Sequence, residues 1–145
     1  MQTVERVVIH ASPAEIWQVL ADVERWPTWT PTVLNVEPLT REGFRVGAKY
    51  RVTQPTLKPA IYEVTERVPH QAFTWVQKAP GAKIIADHRL TAFDGSGTEV
   101  ELSFATEGLL GAILGGMYAK KIAELVKIEA KSLKNHCELL AAKTA

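Results

Sequence analysis

Apolar and polar residues alternate most cleanly between Thr98 and Thr106. Val100, Leu102 and Phe104 fall on one side of an extended chain, and Glu99, Glu101 and Ser103 fall on the other. One dry face and one wet face is the pattern of an antiparallel sheet covered on one side only. A period of two also predicts strands over Lys49–Gln54, Ile61–Val68, Phe73–Gln77 and Lys83–Phe93. Their inner faces carry Tyr50 with Val52, Tyr62 with Val64, Phe73 with Trp75, and Ala86 and His88 with Leu90 and Ala92. Thr3–His10 and Val33–Leu39 are rich in β-formers and complete the set of strands. Asp94-Gly95-Ser96-Gly97 reads as a hairpin turn.

Two stretches switch to the helical period. The first runs from Pro13 to about Asp22, with Ile16, Val19 and Leu20 as its apolar stripe. Its start is written in Ser12-Pro13-Ala14-Glu15. Ser12 and Glu15 can each bond the other's backbone amide, and Pro13 sits where a missing N–H costs nothing. Pro27 and Pro31 stop a continuous helix, so a turn or a second small helix is expected around Trp26 and Trp29. The second stretch runs from Met117 to about Ala142. Tyr118, Ile122, Leu125, Val126, Leu133, Cys137 and Leu140 line one face, opposite Lys120, Glu124, Lys127, Lys131, Lys134 and Glu138. The glycine-rich segment Gly108–Gly116 reads as a bend between the last strand and this helix, where glycine permits close packing or a gating movement, rather than as a membrane-seeking loop.

The order is strand, helix or helix pair, about six strands, long helix. Sequential strands joined by short turns make a meander, and the long helix must cover the apolar face of the sheet. The class is therefore α+β, and a sheet folded onto helices leaves room for a cavity.

Composition narrows the function classes. A chain of 145 residues suits one domain, residues 1–145, and 46% hydrophobic with 23% charged residues is ordinary for a globular protein. Net charge is +1, and no basic stripe interleaved with aromatics is present, so nucleic acid is not an expected partner. No apolar run approaches a membrane span, and no signal segment opens the chain. Cys137 is the single cysteine, so no internal disulfide forms; it reads as a small buried hydrophobe, and a reducing cytoplasm is the default expectation. His10, His70, His88 and His136 are too scattered to define a metal site, and the phosphate-loop, dinucleotide and His-Glu-x-x-His patterns are absent. No metal or cofactor is expected.

The sequence resembles the START-like superfamily, also called the polyketide cyclase/dehydrase and lipid-transport (SRPBCC) superfamily. The matching pieces are Ala11–Trp17 with Trp26-Pro27-Thr28-Trp29, then Val46-Gly47, Gln54-Pro55, Phe73-Thr74-Trp75, His88-Arg89-Leu90, Gly97–Val100 and Ala130–Glu138. The resemblance implies a helix-grip fold: a curved seven-stranded antiparallel sheet wrapped around a long C-terminal helix, with one or two short helices after strand 1. Members bind lipids, carry hydrophobic metabolites, cyclise polyketides or bind other proteins, and fold alone does not choose among these.

Three readings follow. The first is a binding protein for a small hydrophobic or aromatic molecule. Tyr50, Tyr62, Phe73, Trp75, His88, Trp29 and Glu129 are its candidate ligand-binding residues. The second is an enzyme resembling aromatase/cyclases, confining its substrate and moving protons through His88, Tyr62 or Glu129. The third is a protein-interaction module of the co-chaperone kind, which an exposed apolar patch beyond the cavity mouth would favour. On any of the three the chain is expected to be a monomer or homodimer. Each candidate has a plain structural alternative. His88 can be a buried histidine bonded to a neighbour, and the aromatics can be ordinary core. Glu129 stands out because a wheel of about 100° per residue places it near the middle of the apolar stripe. Placed there, it must be paired, hydrated or protonated.

Overall fold

The computed structural model describes residues 1–144 apart from Asp94 and Ser96. The predicted turn at Asp94–Gly97 thus lies partly outside the described residues; the strands on either side of it pair antiparallel. The strands are β1 (Gln2–Ile9), β2 (Asn35–Pro38), β3 (Lys49–Thr53), β4 (Ala60–Val68), β5 (Ala72–Ala79), β6 (Ala82–Ala92) and β7 (Thr98–Glu107). Helix α1 spans Pro13–Ala21, a 3-10 helix spans Val23–Thr28, and α2 spans Leu109–Thr144. The seven strands form a single sheet in the order β1-β7-β6-β5-β4-β3-β2, so β2 to β7 are a meander and β1 closes against the last strand made. This is the helix-grip arrangement.

Local chemistry accounts for the element boundaries. The Glu15 amide donates to Ser12 Oγ at 3.2 Å and the Ser12 amide to Glu15 Oε1 at 3.0 Å, so the capping box at α1 is complete. That bonding also holds the Glu15 carboxyl below its ordinary range. Pro27 is accommodated by a 3-10 turn, whose end is closed by the Trp29 and Thr30 amides on the Trp26 carbonyl. Register slips between Val64 and Glu66, an irregularity that bends β4 and adds to the curvature of the sheet. Alternation predicts the inner faces well. Val64, Phe73 and Val100 are fully buried, as are Tyr50, Tyr62, Trp75 and His88 to within a few per cent. Ala92 is the exception, being exposed where β6 runs past the edge of the core.

The start of α2 corrects the sequence reading. Gly108–Gly116 is not a connector: the helix begins at Leu109. Gly108 makes the turn into it at φ +87°, a left-handed conformation, where a Cβ would lie 2.6 Å from the Gly81 carbonyl oxygen. The Leu110 and Gly111 amides then donate to that carbonyl. Gly115 passes so close to β7 that a Cβ would meet Thr106 Oγ1 at 2.6 Å and Met1 Cβ at 2.9 Å. Gly111 and Gly115 are contact residues inside a helix, not breakers, and Gly108 is the turn that leads into it. At the other end of α2, Lys134 and Glu138 are not simply solvated. Lys134 Nζ donates to the Val8 carbonyl at 2.8 Å, and Glu138 accepts from the His10 amide at 2.9 Å.

Layering leaves a hollow. Helix α2 rests on β1, β7 and β6, while the 3-10 helix covers β2. Between these two supports, the inner face of β3 to β5 meets side chains such as Trp26 and not the backbone of α2.

Candidate functional site

The hollow has a volume of about 460 Å³. Tyr62, Trp75 and His88 line it from the sheet, Trp26 from the 3-10 helix, and Ile122, Leu125, Val126 and Glu129 from α2. Its rim is the β3–β4 loop at Thr56–Lys58 facing Leu114 and Tyr118. The lining is largely apolar, with a few polar groups set into it, as ligand cavities of this size usually are.

Trp26 is the hinge of the aromatic wall. It is 2% exposed, and its Nε1 donates to the Leu20 carbonyl at 3.0 Å, so the indole is anchored by the end of α1. Its ring centroid lies 5.4 Å from Trp75 and 5.6 Å from His88, and Trp75 lies 5.2 Å from Tyr62. The period-two reading could not find Trp26, because it sits in a proline-bounded 3-10 turn.

His88 occupies the inner face of β6. Its ring stacks on Phe73 at 3.9 Å, and Nδ1–H donates to the Phe73 carbonyl at 3.1 Å. A carbonyl only accepts, so the proton is on Nδ1 and Nε2 is left as an acceptor. Burial pushes the imidazole down to about 4, against the opposing pull of that carbonyl and of Asp87, so the ring is neutral at pH 7.

Glu129 projects from α2 into the cavity. Burial lifts its carboxyl from 4.5 to about 7, with the Thr32 hydroxyl pulling the other way. Among the described residues no lysine or arginine forms an ion pair with it. Thr32 itself is buried; its hydroxyl bonds that of Thr30 at 2.7 Å, and its carbonyl accepts from Gln54 Nε2 at 3.1 Å. The Tyr62 hydroxyl is raised well above the ordinary phenol range, chiefly by burial and then by the negative charge of Glu129. Among the described residues no hydrogen bond joins His88 to Glu129.

Four of the candidate residues therefore share the cavity: Tyr62, Trp75, His88 and Glu129. The other three do not line it. Tyr50 and Phe73 are packed behind the wall, Phe73 between Phe44, Trp17 and the His88 ring. Trp29 stacks at 22° on His136, its buried Nε1 without a partner among the described residues. Gln77, Thr106 and Leu114 line the cavity without having been singled out in the sequence. Gln77 follows Trp75 by two, so the period of two does mark it. Cys137 is buried, and that burial pushes its thiol up to about 12, leaving no thiolate near neutral pH.

A curved antiparallel sheet gripping one long helix over an apolar hollow defines a helix-grip cavity protein. Residues 1–138 match the family described as polyketide cyclase/dehydrase and lipid transport, and the chain belongs to it. No curated protein matches the chain in sequence. Among solved structures it is similar to a hypothetical protein of Helicobacter pylori, with TM-score 0.80, 11% identity, and 94% of this chain and 88% of that one covered. It is also similar to a START superfamily protein of Mycobacterium smegmatis, with TM-score 0.78, 19% identity and coverage of 96% and 98%. The di-domain ARO/CYC protein BexL is matched at TM-score 0.72 and 16% identity over 97% of this chain and 47% of that one. Identities this low speak for the fold alone. Among the described residues no helix is long and apolar enough to cross a membrane.

Proposed function

We propose that the chain binds a small hydrophobic or aromatic molecule between the sheet and α2. The observation that carries this reading is the hollow of about 460 Å³, walled by Trp26, Trp75 and Tyr62 with Glu129 and His88 set into it. Burying an apolar guest there gains about 25 cal/mol for each Å² removed from water. The polar groups set into the wall give it orientation.

The experiment is native mass spectrometry of the purified protein for a co-purified molecule, alongside titration of a naphthalene probe. Ala86→Trp, which fills the hollow from β6, serves as the control. Probe binding by the wild type and its loss in a folded Ala86→Trp protein are expected. A probe that binds both equally refutes the cavity as the site.

A catalytic reading resembling aromatase/cyclases has one observation in its favour: the Glu129 carboxyl titrates near neutrality beside Tyr62, where an acid/base group works best. The interaction reading rests on Leu109, Ile113 and Met117, which lie on one side of α2 and are more than half exposed.

A further inference from the structure

We propose that the preferred occupant is a hydrophobic or aromatic amine, held as its ammonium by the Glu129 carboxylate with the rings of Tyr62 and Trp75 beside it. The inference rests on the ligand-binding reading above and narrows it to a chemical class.

The argument starts from which polar groups the cavity offers. Glu129, when ionised, only accepts hydrogen bonds. His88 has committed its one N–H to the Phe73 carbonyl, so Nε2 also only accepts. Gln54 has turned its amide to the Thr32 carbonyl. Lys58 is a cation at the cavity, but it is exposed on the rim. Tyr62, Gln77, Ser103 and Thr106 also line the cavity and can each donate as well as accept, so hydrogen-bonding capacity alone does not choose the ligand.

Charge does separate the ligands. A partly buried carboxylate without a counter-ion is costly, and a carboxylate or phosphate ligand that covers it would add a second negative charge. An alcohol supplies one hydrogen bond and leaves the charge uncompensated. An ammonium supplies up to three N–H donors together with the missing positive charge, and charge-assisted bonds are about twice as strong as neutral ones. The wall suits the same group. Tyr62 and Trp75 lie 5.2 Å apart at an interplanar angle of 34°, and Tyr62 is near enough to Glu129 to feel its charge. Aromatic faces attract cations, most of all when water is displaced. The rest of the ligand would be apolar, because Ile84, Leu102 and Leu125 form the adjoining walls.

The test compares three probes with one aromatic body and different heads: 1-naphthylmethylamine, 1-naphthylmethanol and 1-naphthoate. Isothermal titration at pH 8 keeps Glu129 ionised and the amine protonated. The amine is expected to bind about tenfold more tightly than the alcohol, with naphthoate weakest. In Glu129→Gln the amine should fall to about the affinity of the alcohol, while the alcohol itself is little changed. An alcohol that matches the amine in the wild type overturns the amine inference and leaves the cavity reading standing. A preference for the amine that survives Glu129→Gln overturns Glu129 as its anchor. Failure of all three probes to bind counts against the ligand-binding reading itself. The ranking of heads on the wild type decides the matter even if the variant does not fold.

Discussion

Replacing Glu129 by Gln should stabilise the protein, by an amount that depends on pH. In the unfolded chain the carboxyl ionises near 4.5; in the folded chain burial raises it to about 7. The folded state therefore favours the protonated form. Below about pH 4.5 both states hold the proton, and Glu129 carries no charge penalty. Between 4.5 and 7 the unfolded chain releases its proton first, and stability falls by about 1.4 kcal/mol per pH unit. Above 7 both states are ionised, and the accumulated penalty levels off at about 3 kcal/mol. Glutamine keeps the shape and cannot ionise, so the variant escapes this loss. For a chain of this length each kcal/mol moves the midpoint by about 2–4 °C, which gives a gain of about 6–12 °C at pH 8. The assay is thermal unfolding of both proteins at pH 4.5, 6, 7 and 8 without ligand. His88 and the surface groups titrate in both, so they cancel in the difference. A difference that stays constant from pH 4.5 to 8 would refute the claim that a partly buried carboxylate without a counter-ion sits in the hollow.

Other expectations follow from particular contacts. Gly115→Ala should destabilise by about 1–3 kcal/mol in chemical denaturation, because its Cβ runs into Thr106 and Met1. Gly116→Ala, one residue on, meets nothing within 4 Å and should stabilise by up to about 1 kcal/mol through helix propensity. His88→Gln should flatten the acid limb of the stability profile. The native imidazole, held near 4 against 6.5 unfolded, makes stability fall as pH drops from 6.5 towards 4. Ser12→Ala, which removes the α1 cap, should cost about 1 kcal/mol in the same denaturation assay. Ile113→Glu changes an exposed position and should leave the midpoint within about 0.5 kcal/mol of wild type.

Faces were legible in the sequence where depth was not. Alternation put Tyr50, Tyr62, Phe73, Trp75 and His88 inside, and all five are buried. It could not tell a wall from the packing behind it, because Tyr62 and Tyr50 stand opposite one another on neighbouring strands with the same orientation. What separates them is how far α2 and the 3-10 helix reach across the sheet, which is a tertiary fact. Glu129 was marked by its place on the helical wheel, since a charge in an apolar stripe is rare enough to be read directly. The start of α2 was misplaced for the opposite reason. Glycine disfavours helix locally, and only the closeness of Thr106, Met1 and the Gly81 carbonyl explains why small residues stand there. Trp26 and Trp29 lie in a segment without a period, so their separate fates, one anchored in the aromatic wall and the other stacked on His136, left no trace in the pattern.

The pairing of β1 with β7 has a consequence for folding. Gln2 lies opposite Ala105, so β1 has no neighbour until β7, the last strand of the sheet in sequence, is in place. Loop closure over that span is slow, and until it happens the inner face of the growing sheet has neither its final edge nor its covering helix. Until β7 and α2 are in place, the folding chain therefore carries an uncovered row of tryptophan, tyrosine and phenylalanine.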